Sequence, residues 1–174
     1  MNHLKTKFKD FFSKRNFFTY DKTNEEFIGI DDDYGIKDIS EVNKEVIVSV
    51  GKSLDKFLKK VKIWNDIKII FVNDMEEDTL ARFRSETSSS SPIIMLSEKN
   101  IIEGSEEYDV PLWVAVETTI FHELGHAICE LERDIFGYMY LEYGDEEEWV
   151  EDFAYELHEN GTIPHDLKTF MKKI

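Results

Sequence analysis

From Pro111 to Glu132 the chain has no internal helix breaker except Gly125, and Pro111 stands where the first turn of a helix tolerates proline best. The segment therefore predicts one long helix. On its wheel Trp113, Val114, Ile120, Phe121, Leu124, Ile128 and Leu131 share a broad apolar face. His122 and His126 fall on the opposite side, with Ala115, Thr118 and Thr119. Residues four apart lie one turn apart on the same face, so these two imidazoles can bind one metal ion together. Glu123, beside them, is the residue type that takes a proton from a metal-bound water. The segment His122-Glu123-Leu124-Gly125-His126 is thus a candidate zinc site with a general base attached.

A catalytic zinc site uses three protein ligands and leaves a position open for water. The acidic run Asp145-Glu-Glu-Glu-Trp-Val-Glu-Asp supplies candidates in Glu146, Glu147, Glu148, Glu151 and Asp152. It opens a second helix whose buried stripe is Trp149, Val150, Phe153, Ala154 and Leu157. Glu147, Glu151 and His158 align along one edge of that stripe. Glu148 points away from it, and with Asp145 it has the spacing of a helix cap. Glu151, deep in the helix beside small Ala154, is the expected third ligand. Glu147 stands second, and Glu148 stays open.

These residues carry a resemblance. The chain resembles a small gluzincin, a zinc peptidase with HExxH on one helix and a glutamate ligand on the next. More narrowly, it is similar to the compact ImmA/IrrE-like and phage-type metallopeptidases. The matching pieces are Pro92-Ile-Ile-Met-Leu-Ser97, the His122–His126 motif and Glu151-Asp-Phe-Ala154, so the likeness spans about Ile67 to Glu159. It implies an α+β, zincin-like single domain. A small sheet with an edge strand would pack on the HExxH helix and the glutamate-bearing helix after it. It also implies zinc as cofactor, a protein or peptide substrate, Glu123 as the catalytic base, and His122, His126 and Glu151 as metal ligands. His158, Tyr155 and the tyrosines of the 137–144 linker are candidates to stabilise an oxyanion. The competing reading is a non-catalytic zincin-fold protein of phage or mobile-element type that binds or regulates a partner. The intact Glu123 argues against it, as does the lone Cys129, because structural zinc sites tend to be closed and rich in cysteine.

A length of 174 residues suits one domain, with residues 1–35 as an N-terminal aromatic and basic segment and 67–160 as the motif-bearing core. A net charge of −16 argues against nucleic acid and anionic membranes as electrostatic partners. A single cysteine excludes an intrachain disulfide, and no secretory leader is legible, so the cytoplasm is the expected compartment. Between Lys5 and Phe18, four lysines and Arg15 are mixed with five phenylalanines that are expected to pack on the domain. A helix is expected from Ser40 to Lys60, and strands at Ile67–Val72, around Leu80–Glu86 and at Pro92–Ser97. Pro92 places the third strand's start, or the strand itself, at a sheet edge, where an extended peptide could add. Ser88–Ser91 reads as a loop, Lys99–Val110 as an acidic connection, and the residues after Gly161 and Pro164 as a short terminal helix.

Overall fold

The structure is a computed structural model that describes residues 41–60, 68–72, 75–76, 78–84, 93–131 and 145–161. The N-terminal Lys5–Phe18 segment, the Ser88–Ser91 loop, the tyrosine-bearing linker and the terminal helix expected from sequence all lie outside these residues. The described elements run α1 (Lys44–Lys60), β1 (Lys68–Val72), β2 (Ala81–Arg84), β3 (Ile93–Ser97), α2 (Glu98–Glu107), α3 (Leu112–Leu131) and α4 (Glu146–Glu159). They form an α+β arrangement of four helices and a mixed three-stranded sheet. No described helix is long and apolar enough to cross a membrane.

The sheet order is β1-β3-β2, with β3 parallel to β1 and antiparallel to β2. This corrects the expectation that the Pro92–Ser97 strand lies at an edge. Pro92 precedes the first paired residue, Ile93, so its missing N–H costs the ladder nothing. The unbroken Ile93-Ile-Met-Leu run is what a central strand covered on both faces requires, and all five residues of β3 are buried. Alternation then sorts the side chains. Ile69, Phe71, Ile94 and Leu96 join the main core with the helices, while Ile70, Val72, Ile93 and Met95 form a second cluster with Met75. Among the described residues, β2 is the edge strand beside the helices.

The acidic connection expected before α3 is in fact a helix. Ser97 caps α2 by accepting from the Asn100 N–H, Glu98 sits in the favourable first turn, and Ile101 and Ser105 turn inward. Glu98 also accepts from the Asn43 N–H, which ties the start of α2 to the approach of α1.

Helix α3 is the axis of the fold and packs against α1, α2, α4 and β2. Being surrounded, it buries more than one stripe. Val116, Glu117, Thr119 and Glu123 are buried alongside Ile120, Phe121 and Leu124. Two sequence placements change as a result. Thr119, expected on the histidine side, is buried, and Trp113, expected in the core stripe, is half exposed in the first turn of α3. Gly125 sets the spacing to α4, since a Cβ there would stand 3.0 Å from Val150 Cγ1 and 3.2 Å from Phe153 Cδ1. A side chain there would make Val150 and Phe153 give by a few tenths of an ångström, so glycine suits this close approach.

Candidate metal centre

Helix α4 runs antiparallel to α3, so its first turn meets His126 while its last meets Glu117. Asp145 caps it, accepting from the Glu147 N–H at 3.1 Å, and this fixes the direction in which Glu146 and Glu147 leave the helix. Both then face the histidines of α3.

The two imidazoles turn the same nitrogen toward one point. His122 Nε2 and His126 Nε2 are 3.1 Å apart, with their rings at 77°. The Glu147 carboxylate straddles them, Oε2 lying 3.4 Å from His122 Nε2 and Oε1 3.4 Å from His126 Nε2. A tetrahedral zinc shell with bonds of about 2.0–2.1 Å sets its ligand atoms about 3.3 Å apart. The observed separations match that edge. Among the described residues, His122, His126 and Glu147 are the group whose ligand atoms all fall within 4.8 Å of one another.

The structure thus brings together His122, His126 and the second-ranked carboxylate of the sequence reading. Glu151, the preferred third ligand, is exposed one turn further along α4 and acts on His122 through its charge. Glu148 is exposed and outside the group. Helix phase had aligned Glu147 and Glu151 on one edge. The antiparallel docking at Gly125 decides which turn of that edge faces the histidines.

Electrostatics suit a cation. Burial lowers the pKa of His122, and His126 beside it adds to this, against the pull of Glu147 and Glu151. A neutral imidazole is the form that binds metal. Burial pushes Glu123 up to about 7; His126, the Phe83 N–H and Arg82 pull it down, and Glu147 pushes with the burial. Its carboxylate is anchored by the Phe83 N–H of β2, so the candidate base is held from the sheet as well as from its own helix. Cys129 is buried, burial pushes its thiol up to about 12, and its sulfur is not part of the converging ligand group.

These groups open into a cavity of about 410 Å³ whose walls are Ala81, Arg82 and Phe83 of β2, His122, Glu123, His126 and Glu130 of α3, and Glu146 and Glu147 of α4. His158 and Tyr155 are not among its lining residues. His158 Nδ1 instead meets Glu117 Oε1 at 2.9 Å at the far end of the helix pair, and Tyr155 is exposed.

Glu146, offered by the sequence as one of five candidate ligands, lies outside the converging group and meets the other nitrogen of His126 instead. His126 Nδ1 donates to its Oε1 at 2.7 Å. The clue available in the sequence was its place as the first residue after a capping Asp.

No protein-family model, curated protein or solved structure matches the chain. The chemistry of the site is therefore argued from its own geometry.

Proposed function

We propose that this chain is a zinc-dependent peptidase with a zincin-like fold, acting on a protein or peptide. The observation that carries this reading is the convergence of two Nε2 atoms and one carboxylate at tetrahedral spacing, beside a buried glutamate, in an open cavity. The donor set of two histidines and a glutamate, with room for water, is that of a catalytic rather than a structural zinc site.

His122, His126 and Glu147 would hold the metal. Zinc bound there supplies Lewis-acid activation of a water and of the scissile carbonyl. Glu123 then has two tasks: its carboxylate takes the proton of the attacking water and returns it to the leaving amine nitrogen. Burial and the Phe83 N–H hold that carboxylate in one place, which suits a group that must act twice on one substrate. The edge strand β2 forms one wall, and Phe83 spends its N–H on Glu123, so the outer rim of β2 faces the cavity. An extended peptide added along that rim would lie across the centre. A reducing, cytoplasmic setting belongs to the same proposal.

The test is zinc content per chain in wild type and in Glu147→Ala, followed by cleavage of a peptide library by wild type and Glu123→Gln. One zinc in wild type, loss in Glu147→Ala, and cleavage abolished with zinc retained in Glu123→Gln is the expected result. Zinc retention in Glu147→Ala but loss in Glu151→Ala would return the third-ligand role to Glu151. A zinc-loaded chain that cleaves nothing in the library and binds a protein partner would favour the non-catalytic reading.

A further inference from the structure

We infer that Glu146 is a positioning residue for the metal centre, holding His126 as a ligand. The inference rests on the metal reading above and adds a residue to it.

A histidine offers a metal only one nitrogen, and the group bonded to its other nitrogen decides which one. At His126 that choice is made by the fold. A carboxylate can only accept, so the 2.7 Å contact between Nδ1 and Glu146 Oε1 puts the ring proton on Nδ1. Nε2 is left with its lone pair, and it is the atom that stands 3.1 Å from His122 Nε2. The contact also restrains the rotation of the ring, since it fixes the Nδ1 end and thereby aims Nε2 at His122.

The position of Glu146 makes this possible. It is the first residue of α4, directly after its cap, so its side chain leaves a backbone already fixed by Asp145. Its neighbour Glu147 reaches the opposite nitrogen of the same ring, at 3.4 Å. Two consecutive carboxylates thus grip one imidazole, one as orienter and one as fellow ligand. Docking of a single helix end sets both. His126 is largely buried while Glu146 is about a third exposed, so the hydrogen bond is shielded on the histidine side. Among the described residues no lysine or arginine pairs with Glu146, and its partner there is the imidazole.

The experiment compares wild type, Glu146→Ala, Glu146→Gln and Glu148→Gln. Each is stripped of metal, its metal-free melting midpoint is recorded to establish that it folds, and it is titrated with zinc against a chromophoric chelator. Loss of such an orienting partner weakens metal affinity about 10–100-fold, and this is expected for Glu146→Ala. A smaller loss is expected for Glu146→Gln, whose amide oxygen still accepts from Nδ1–H, and none for Glu148→Gln. Cobalt(II) in place of zinc gives a second readout. Its visible bands should move in Glu146→Ala and stay in Glu148→Gln. Equal zinc affinity in wild type and Glu146→Ala would overturn the inference, and so would an equal loss in all three variants, which would mean a bulk charge effect. A wild type that binds no zinc would remove the centre itself, and that outcome is recognisable because every chain then reads the same.

Discussion

The α3–α4 pair carries a histidine–carboxylate cluster at each end, and the two are built from the same residue types to opposite purpose. At one end Glu117 accepts from Lys56 Nζ at 2.6 Å and contacts His158 Nδ1 at 2.9 Å, while Ser53 Oγ lies 3.4 Å away. Lys56 also donates to the His158 carbonyl at 3.0 Å and lies 5.4 Å from the Phe121 ring centre. The helix α1 has brought its own cation. At the other end Glu146 and Glu147 meet His122 and His126, and among the described residues no lysine or arginine pairs with either carboxylate. Arg82 lines that cavity but pairs with Glu76 at 3.4 Å. The closed end is satisfied from within the chain. The open end has converging donors and space, the two features the proposed metal site requires.

The largest effect expected from any substitution is catalytic. Glu123→Gln should lower peptide hydrolysis about 10²–10⁴-fold, measured as initial rates at saturating zinc, with the melting midpoint of the folded chain nearly unchanged. Next comes the metal itself. Zinc at about 100 times its dissociation constant should stabilise the wild type by about 2.7 kcal/mol and leave Glu147→Ala close to its metal-free midpoint, as thermal melts with and without chelator would report.

The closed end should respond to a different lesion. Lys56→Met leaves Glu117 buried without its cation and should cost about 2 kcal/mol, a figure reduced because Lys56 is about a third exposed. For a chain of this size that is a drop of about 4–8 °C in melting midpoint. Adding Glu117→Gln should recover most of it, and zinc affinity should not change in either variant. Were zinc affinity to fall with Lys56→Met, the two ends would be coupled and the contrast between them would break. The smallest effect is expected at the joint between the ends. Gly125→Ala gains helix propensity but drives a methyl against Val150 and Phe153, for a net loss of about 1 kcal/mol. It should also weaken zinc binding to the extent that α4 yields and carries Glu147 with it; calorimetric titration would read the affinity and thermal melts the stability.

The open end was largely legible in the sequence and the closed end was not. His122, Glu123 and His126 are local, and helical periodicity is enough to put the imidazoles together. The third carboxylate is not local. Periodicity gives the angle of Glu147 and Glu151 around α4 but not the height at which α4 docks, and that height is a tertiary quantity set by the approach at Gly125. The closed end joins residues 61, 41 and 102 positions apart, with nothing in the surrounding pattern to announce them. Sequence phase placed His158 near Glu151, but the direction of α4 carried it to the opposite end of the helix pair. Elsewhere the misreadings share a cause. Gly104 and four acidic residues disguised α2 as a connection, although Ser97-Glu98 spelled its cap. Pro92 suggested an edge, although it lies just outside a strand buried on both faces.

On the proposed metal reading, the lysine at the closed end bears on how an ion would be taken up. Lys56 pairs with Glu117 of α3 and reaches the last turn of α4, so this part of the helix docking draws on no metal ion. Folding and loading would then be separate events, unlike in small zinc modules that are unfolded without their ion. A chain assembled during zinc scarcity would wait in its finished shape, with its ligands already in position, and a chelator would empty it without unravelling it.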